Sequence, residues 1–368
     1  MKPGLYIHVP FCRSKCPYCG FYSIASCSLV PRWLKALKRE ISYYKGRFGE
    51  FNSLYFGGGT PSVLEIPDLE EIMDHIIGNL RFADNTEKTI EVNPGDMTRD
   101  KVRALKHIGF NRINLGVQSF NDSELIFLGR RHSAEEAEKS MECLRSGGFE
   151  NIGLDLIYGL EGQKIQAWSK SLNKVMSFEP EHLSCYQLSF EKKTSFWKNR
   201  EKGVLKPLSE EEEIRFFNFH SEFLEGKGYI HYEISNFARD ESFTSRHNCK
   251  YWSHEPYLGL GPAAHSFFER DRWWNFSSVR RYCEELEKGN VPIGGRERLT
   301  DEQIRIEALS LGFRTRKGFE KELVHNLQGS DDVVMKLLDL NLIRLDNDRI
   351  IPSKKGFLVA DSLPLMFY

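Results

Sequence analysis

Gly4-Leu5-Tyr6-Ile7-His8-Val9-Pro10-Phe11-Cys12-Arg13-Ser14-Lys15-Cys16-Pro17-Tyr18-Cys19 opens the chain, and the fold is read outward from it. Its first half is an apolar, β-branched and aromatic run, which predicts a strand. Three cysteines follow at once, in the pattern C-x3-C-x2-C.

The unit then repeats. Strand-like runs begin near Leu5, Ser53, Thr89, Arg112, Ile152 and His182. Helical patterns separate them at 33–48, 69–80, 99–108, 134–144 and 167–176. Pro31, Pro67-Asp68, Thr98 and Ser133 mark helix starts, and Gly109 and Gly147-Gly148 mark ends. Strand-then-helix repetition predicts parallel strands with helical crossovers. The strands read as near-continuous apolar runs, as for strands buried on both faces.

Six such units are two short of a full eightfold barrel. Beyond them lie a helix at 210–225, a strand at 229–234, and a Gly-, Pro- and aromatic-rich stretch ending at Asn275. The predicted fold class is α/β, a partial (β/α)6 TIM-like barrel of parallel strands over 1–275. A connecting segment is expected at 276–299 and a small winged-helix-like C-terminal domain at 300–368. The latter reads as helices at 301–311, 317–326 and 331–338, then a hairpin turning at Asn347-Asp348. No basic recognition helix is visible, so a packing or lid module is expected rather than a DNA reader.

Composition excludes several classes. The chain has 368 residues, 51 basic and 52 acidic side chains, and a net charge of -1. That balance favours neither nucleic acid nor an anionic membrane as main partner. No apolar run approaches the roughly 18 residues of a spanning helix. No basic leader with an apolar core opens the sequence. A cytoplasmic location is expected, with peripheral membrane docking left open. The eight cysteines are too sparse for a disulfide scaffold.

The cysteine loop has three readings. Cys27, eight residues on, would complete a four-thiolate zinc site, or a closed four-cysteine cluster. In the third reading, Cys12, Cys16 and Cys19 alone hold a four-iron cluster, leaving one iron open to a small chelator. The third is preferred, because zinc knuckles come as two close pairs and only one is present.

C-x3-C-x2-C after a first strand, with Tyr18 just before the third cysteine, resembles the radical S-adenosylmethionine (SAM) superfamily. The resemblance implies a [4Fe-4S] cluster whose open iron binds SAM. Gly57-Gly58-Gly59-Thr60-Pro61 ends strand two, Glu91-Val92-Asn93-Pro94 strand three, and Gly116-Val117-Gln118-Ser119-Phe120 strand four. Arg130-Arg131-His132 follows, and Asp155 interrupts an apolar fifth strand. A charge there is costly unless it has a partner.

In this order the motifs are similar to the oxygen-independent coproporphyrinogen III oxidase group. The likeness suggests Tyr6, Tyr18, Gly58, Gly59, Thr60, Glu91, Gln118, Arg130 and Asp155 as SAM contacts. Gln187, Glu191, Glu233, Ser235 and Asn236 also match, as residues of the barrel mouth. The group contains an oxidase and a heme chaperone. Two residues after Cys19, where the oxidases have a fourth cysteine, stands Phe21. The oxidases carry a long N-terminal extension before the cluster strand, where this sequence shows only a handful of residues, so the oxidase is not the expected reading.

His247-Asn248-Cys249-Lys250-Tyr251-Trp252 matches the H-N-x-x-Y-W pattern of the chaperones. A neutral histidine is a good heme ligand, and aromatic neighbours suit a flat macrocycle. His247 is therefore expected as an axial ligand that reaches the barrel mouth, in a segment read as a loop, a turn or a short helix. Cys249 and His265 are weaker candidates. The expected function is binding heme and transferring it to acceptor proteins, respiratory and membrane-associated ones among the candidates. The alternative is the oxidase. No residue is assigned a catalytic role, and both SAM cleavage and homodimerisation are left open.

Overall fold

The computed structural model describes residues 1–325 and 327–368. Six parallel strands form the frame: β1 (Gly4–Val9), β2 (Phe51–Gly58), β3 (Phe82–Val92), β4 (Arg112–Gln118), β5 (Ile152–Tyr158) and β6 (His182–Gln187). They pair in sequence order. The crossovers carry α1 (Val30–Tyr43), α2 (Ile66–Asn79), α3 (Arg99–Ile108), α4 (Asp122–Phe127), α5 (Ala134–Ser146) and α6 (Ile165–Met176).

Local chemistry sets the helix ends. Thr98 and Ser133 cap α3 and α5, accepting from the backbone N–H of Lys101 and Glu136. Gly109 ends α3 at φ 99°, a left-handed conformation glycine adopts without penalty. Helix α1 buries Trp33, Leu34, Leu37 and Ile41 against the sheet. Fully burying each such side chain contributes about 1.5–3 kcal/mol.

After α7 (Ser195–Glu201) and α8 (Glu210–Gly226), the antiparallel pair β7 (Ile230–Glu233) and β8 (Asn236–Ala238) closes one edge beside β6. Helix α9 (Arg246–Trp252) then leads to β9 (Tyr257–Leu260), which pairs parallel with β1. Strands β10 (His265–Phe268) and β11 (Asp271–Asn275), helix α10 (Val279–Glu287) and strand β12 (Ile293–Arg298) follow. The sheet has twelve strands, with β12 and β7 at its two ends.

Two expectations are corrected here. The segment 276–299 is not a connector. Helix α10 buries Val279, Tyr282, Cys283 and Leu286 in the barrel core, and β12 extends the same sheet. Glu40 of α1 ties this region down. Its buried carboxylate accepts from Tyr282 Oη at 2.6 Å, Asn275 Nδ2 at 2.6 Å and the Gly261 N–H at 2.8 Å.

Nor are the strands apolar on both faces. In β4, Ile113, Leu115 and Val117 pack outward beneath helices, while Arg112, Asn114, Gly116 and Gln118 line the lumen. The lumen face is polar, so the strands alternate.

A second core gathers Leu309, Phe313, Phe319, Leu337, Ile343 and Ile350 near the C-terminus. It is built by α11 (Asp301–Gly312), β13 (Phe319–Glu320), α12 (Glu322–His325), α13 (Ser330–Asp339), the hairpin β14 (Ile343–Asp346) and β15 (Arg349–Pro352), and α14 (Lys354–Leu358). The strand order β13-β15-β14 with the hairpin beside helices is winged-helix-like. The helix expected at 317–326 divides into β13 and α12, and its last residue, Asn326, lies outside the described residues.

Candidate functional site

Parallel strands put all their C-terminal ends on one rim, and the cysteine loop, Gly58-Gly59-Thr60, Glu91, Gln118, Arg130 and Asp155 meet there. They line one cavity of about 790 Å³ that runs from the rim into the lumen. This size lies within the usual range for small-molecule sites.

The cysteine loop is closed at its neck. Cys12 N–H donates to Ile24 O at 3.0 Å, and Ile24 N–H to Pro10 O at 2.8 Å. Its far side packs on α7, where Tyr18 meets Phe196. Thr60 Oγ1 donates to Cys12 Sγ at 3.4 Å, and Arg130 Nη1 to Cys16 Sγ at 3.5 Å. Burial and the neighbouring thiols Cys16 and Cys12 raise the pKa of Cys19. Thiols that disfavour one another's ionisation suit a shared cationic centre, which removes that penalty. Among the described residues, no three His, Cys, Asp or Glu groups close on a single point as one ion requires. The three thiols line one cavity rim, and Cys12 and Cys16 lie close enough to Cys19 to raise its pKa, a donor set that suits a shared iron–sulfur centre. Cys27 is exposed and lies outside this cavity.

The glycine turn is shaped by contact. Gly58 has φ 108°, and a Cβ on Gly59 would stand 2.6 Å from Phe11 O. Only glycine keeps that backbone against the cysteine loop. Glu91 accepts from Tyr55 Oη at 2.8 Å and from the Gly58 N–H at 3.3 Å. Burial pushes its carboxyl up to about 7. Asp155 accepts from Asn114 Nδ2 at 2.6 Å, leaves its other oxygen without a partner, and is pushed up to about 6 by burial. Arg130 Nη2 donates to Asn93 Oδ1 at 2.5 Å and Gly116 O at 2.8 Å. Gln118 holds φ 68°. Strain at a site-lining non-glycine residue is common where the surroundings fix it.

Some expected residues fall elsewhere. Tyr6 is not on the cavity wall. Its hydroxyl bonds His8 Nδ1 at 3.1 Å, and its ring stacks on His247 below the lumen. Glu233 is buried away from the mouth, bonding the Ser235 N–H and Asn236 Nδ2. Gln187 and Glu191 do line the cavity. His265 is exposed and stacks on Trp274.

The placement of His247 is a correction. It lies in helix α9, beneath the strand starts rather than at the mouth. It is 1% exposed. Nδ1 shares a hydrogen bond with Ser53 Oγ at 3.0 Å and Nε2 with Tyr251 Oη at 2.9 Å. Both ring nitrogens are therefore engaged, and burial lowers its pKa to about 3. It is a satisfied core histidine that closes the barrel floor.

The lumen also holds Arg112, Asn114, His182 and Ser184, which were not singled out from the sequence. The polar residues at every second position of β4 and β6 were the available signal.

A profile described as the radical SAM superfamily matches residues 6–175. The heme chaperone HemW of Bacillus subtilis (strain 168) is 34% identical over 97% of this chain and 97% of its own length. The heme chaperone HemW of Escherichia coli (strain K12) is 35% identical over 71% of this chain and 69% of its own. The chain belongs to the HemW family of the radical SAM superfamily. The fold agrees: the solved structure of the coproporphyrinogen III oxidase HemN from Escherichia coli superposes with TM-score 0.85, covering 100% of this chain and 90% of that one, at 23% identity. In this HemW-family chain the cysteine triad and the glycine turn fall inside the region matched to the superfamily, whereas α9 and the C-terminal core lie beyond it.

Proposed function

We propose that the chain binds heme and delivers it to acceptor proteins, and that it carries a SAM-binding [4Fe-4S] cluster at the barrel rim. The observation that carries this reading is the end-to-end similarity to the Bacillus subtilis heme chaperone. Phe21 supports it against the oxidase alternative. It stands where the oxidases have a further cysteine, and it is 68% exposed beside the triad.

Cys12, Cys16 and Cys19 would hold the cluster. Such a cluster supplies an open iron for the amino and carboxylate groups of SAM and an electron for its sulfonium. Thr60 and Arg130 donate to two of the sulfurs, which offsets thiolate charge. The Gly58-Gly59 backbone allows close approach of a ligand amine. Glu91 would accept from ribose hydroxyls, and Arg130 would pair with a ligand carboxylate. Gln118, Tyr18 and Asp155 complete the wall.

Heme-acceptor proteins are the expected partners, and the cytoplasm the expected compartment. Among the described residues no helix is long and apolar enough to cross a membrane. The test against the oxidase is direct. Anaerobically reconstituted chain, given SAM, a reductant and coproporphyrinogen III, should yield no protoporphyrinogen IX. Product over several turnovers would replace the carrier reading.

A further inference from the structure

Helix α9 has two faces. His247 and Tyr251, four residues apart, share the one that closes the barrel floor. Cys249 and Trp252, three apart, share another, and both line a second cavity of about 670 Å³. Its opposite wall comes from α11 and the segment 315–320 of the C-terminal core. This cavity shares no residue with the one at the rim.

Its chemistry is specific in three respects. The first is an apolar wall of Trp252, Ile304, Ala308, Phe319 and Leu323. The second is a thiol, Cys249, the one cysteine in the lining. The third is unspent cationic capacity. Arg316 and Arg349 are paired with Glu241 and Glu320. Asp301 is paired with Arg270. Arg305 and Lys317 form no ion pair among the described residues, and of the lining carboxylates only Glu322 likewise has none there. Arg305 Nε and Trp252 Nε1 are buried with no hydrogen-bond partner there. Unpartnered buried donors also occur in the barrel core, at Trp33 and Trp168, but Arg305 and Trp252 line a cavity, where an added acceptor can reach them. His254 also lines the cavity, but its Nε2 bonds Glu307 at 3.0 Å and its ring stacks on Phe267.

An apolar wall, one soft donor and two cations without ion pairs suit a planar metal macrocycle bearing two carboxylates. We propose that this second cavity seats the heme, with Cys249 Sγ as iron ligand, Trp252 against the ring, and Arg305 and Lys317 facing the propionates. Ligation moves the thiol proton to solvent as the S–Fe bond forms, and no electron is transferred. This inference rests on the reading that the chain binds heme. It moves the seat from the floor-facing side of α9 to its other side.

The experiment is a hemin titration of the full chain, followed at the Soret band and by magnetic circular dichroism of the ferric complex. Wild type should bind one hemin per chain with a thiolate signature. Cys249→Ala should weaken binding at least tenfold and remove that signature. Arg305→Glu with Lys317→Glu should weaken binding at least tenfold while keeping the signature. Ile304→Trp, which fills the cavity without touching any ligand, should also reduce binding. Far-ultraviolet circular dichroism checks that each variant is folded. If wild type does not bind saturably, the heme-binding reading itself falls. If wild type binds and either Cys249→Ala or the charge variant binds equally well, the heme sits elsewhere and this inference is overturned.

Discussion

Arg130 Nη1 lies 3.5 Å from Cys16 Sγ, while Nη2 of the same guanidinium is anchored on Asn93 and Gly116. One arginine thus links the cysteine loop to the ends of β3 and β4. Arg130→Met should keep the iron content of reconstituted protein but weaken SAM binding about tenfold, the scale of one lost charge-assisted pair. Isothermal titration with SAM checks this, and an unchanged affinity would remove Arg130 from the site.

Cluster ligation divides the cysteines sharply. Cys12→Ala, Cys16→Ala and Cys19→Ala should each abolish a stable four-iron cluster, because among the described residues only these thiols face the rim cavity. Cys27→Ala should leave iron, sulfide and spectrum unchanged, since Cys27 is exposed elsewhere. Iron and sulfide analysis after anaerobic reconstitution reads the result. Loss of the cluster in Cys27→Ala would return the closed four-cysteine reading.

His220 shows how burial governs acid stability. It packs among Tyr158, Trp168, Phe217 and Phe237, and neither ring nitrogen has a partner. Burial lowers its pKa to about 3. The unfolded chain takes up this proton below about 6.5 while the fold resists it, so stability falls as pH drops through that window. His220→Leu removes the penalty. The unfolding free energy of wild type, from urea titrations, should fall relative to that of His220→Leu by up to about 1.4 kcal/mol per pH unit below pH 6.5. A constant difference from pH 7 to pH 4.5 would contradict the assignment.

His247 is expected to be structural. His247→Ala strips partners from the Ser53 and Tyr251 hydroxyls in the closed floor and should cost about 1–3 kcal/mol for each group left unpaired. His247→Gln can restore part of that bonding and should recover stability. Hemin affinity should be unchanged in any variant that remains folded. Spectra that lose a histidine-ligated signature in folded His247→Gln would restore His247 as the ligand.

Much of this molecule was legible from residues 1–187. The alternation of strands, caps and glycine stops gave the crossovers, and helix 99–108 is Arg99–Ile108 in the structure. The motifs at strand ends meet because parallel strands place them on one rim. The segment after Asn236 was less legible. Strands β9 to β12 are short, and most pair antiparallel without helical crossovers, so no repeat announces them. Polar alternation in β4 is visible in Arg112, Asn114 and Gln118, yet the strands read as near-continuous apolar runs. His247 is not at the mouth because helix 246–252 packs under the strand starts, a tertiary placement that its local pattern does not carry. Once 246–252 is a helix, spacing alone sends His247 with Tyr251 and Cys249 with Trp252 to different faces.

Hemin titration of the anaerobically reconstituted, SAM-loaded chain tests the central claim most directly. The account predicts saturable binding of one hemin per chain, with a defined Soret shift and an unperturbed cluster spectrum. Non-saturating absorbance growth, as for hemin adhering to any protein surface, would contradict it.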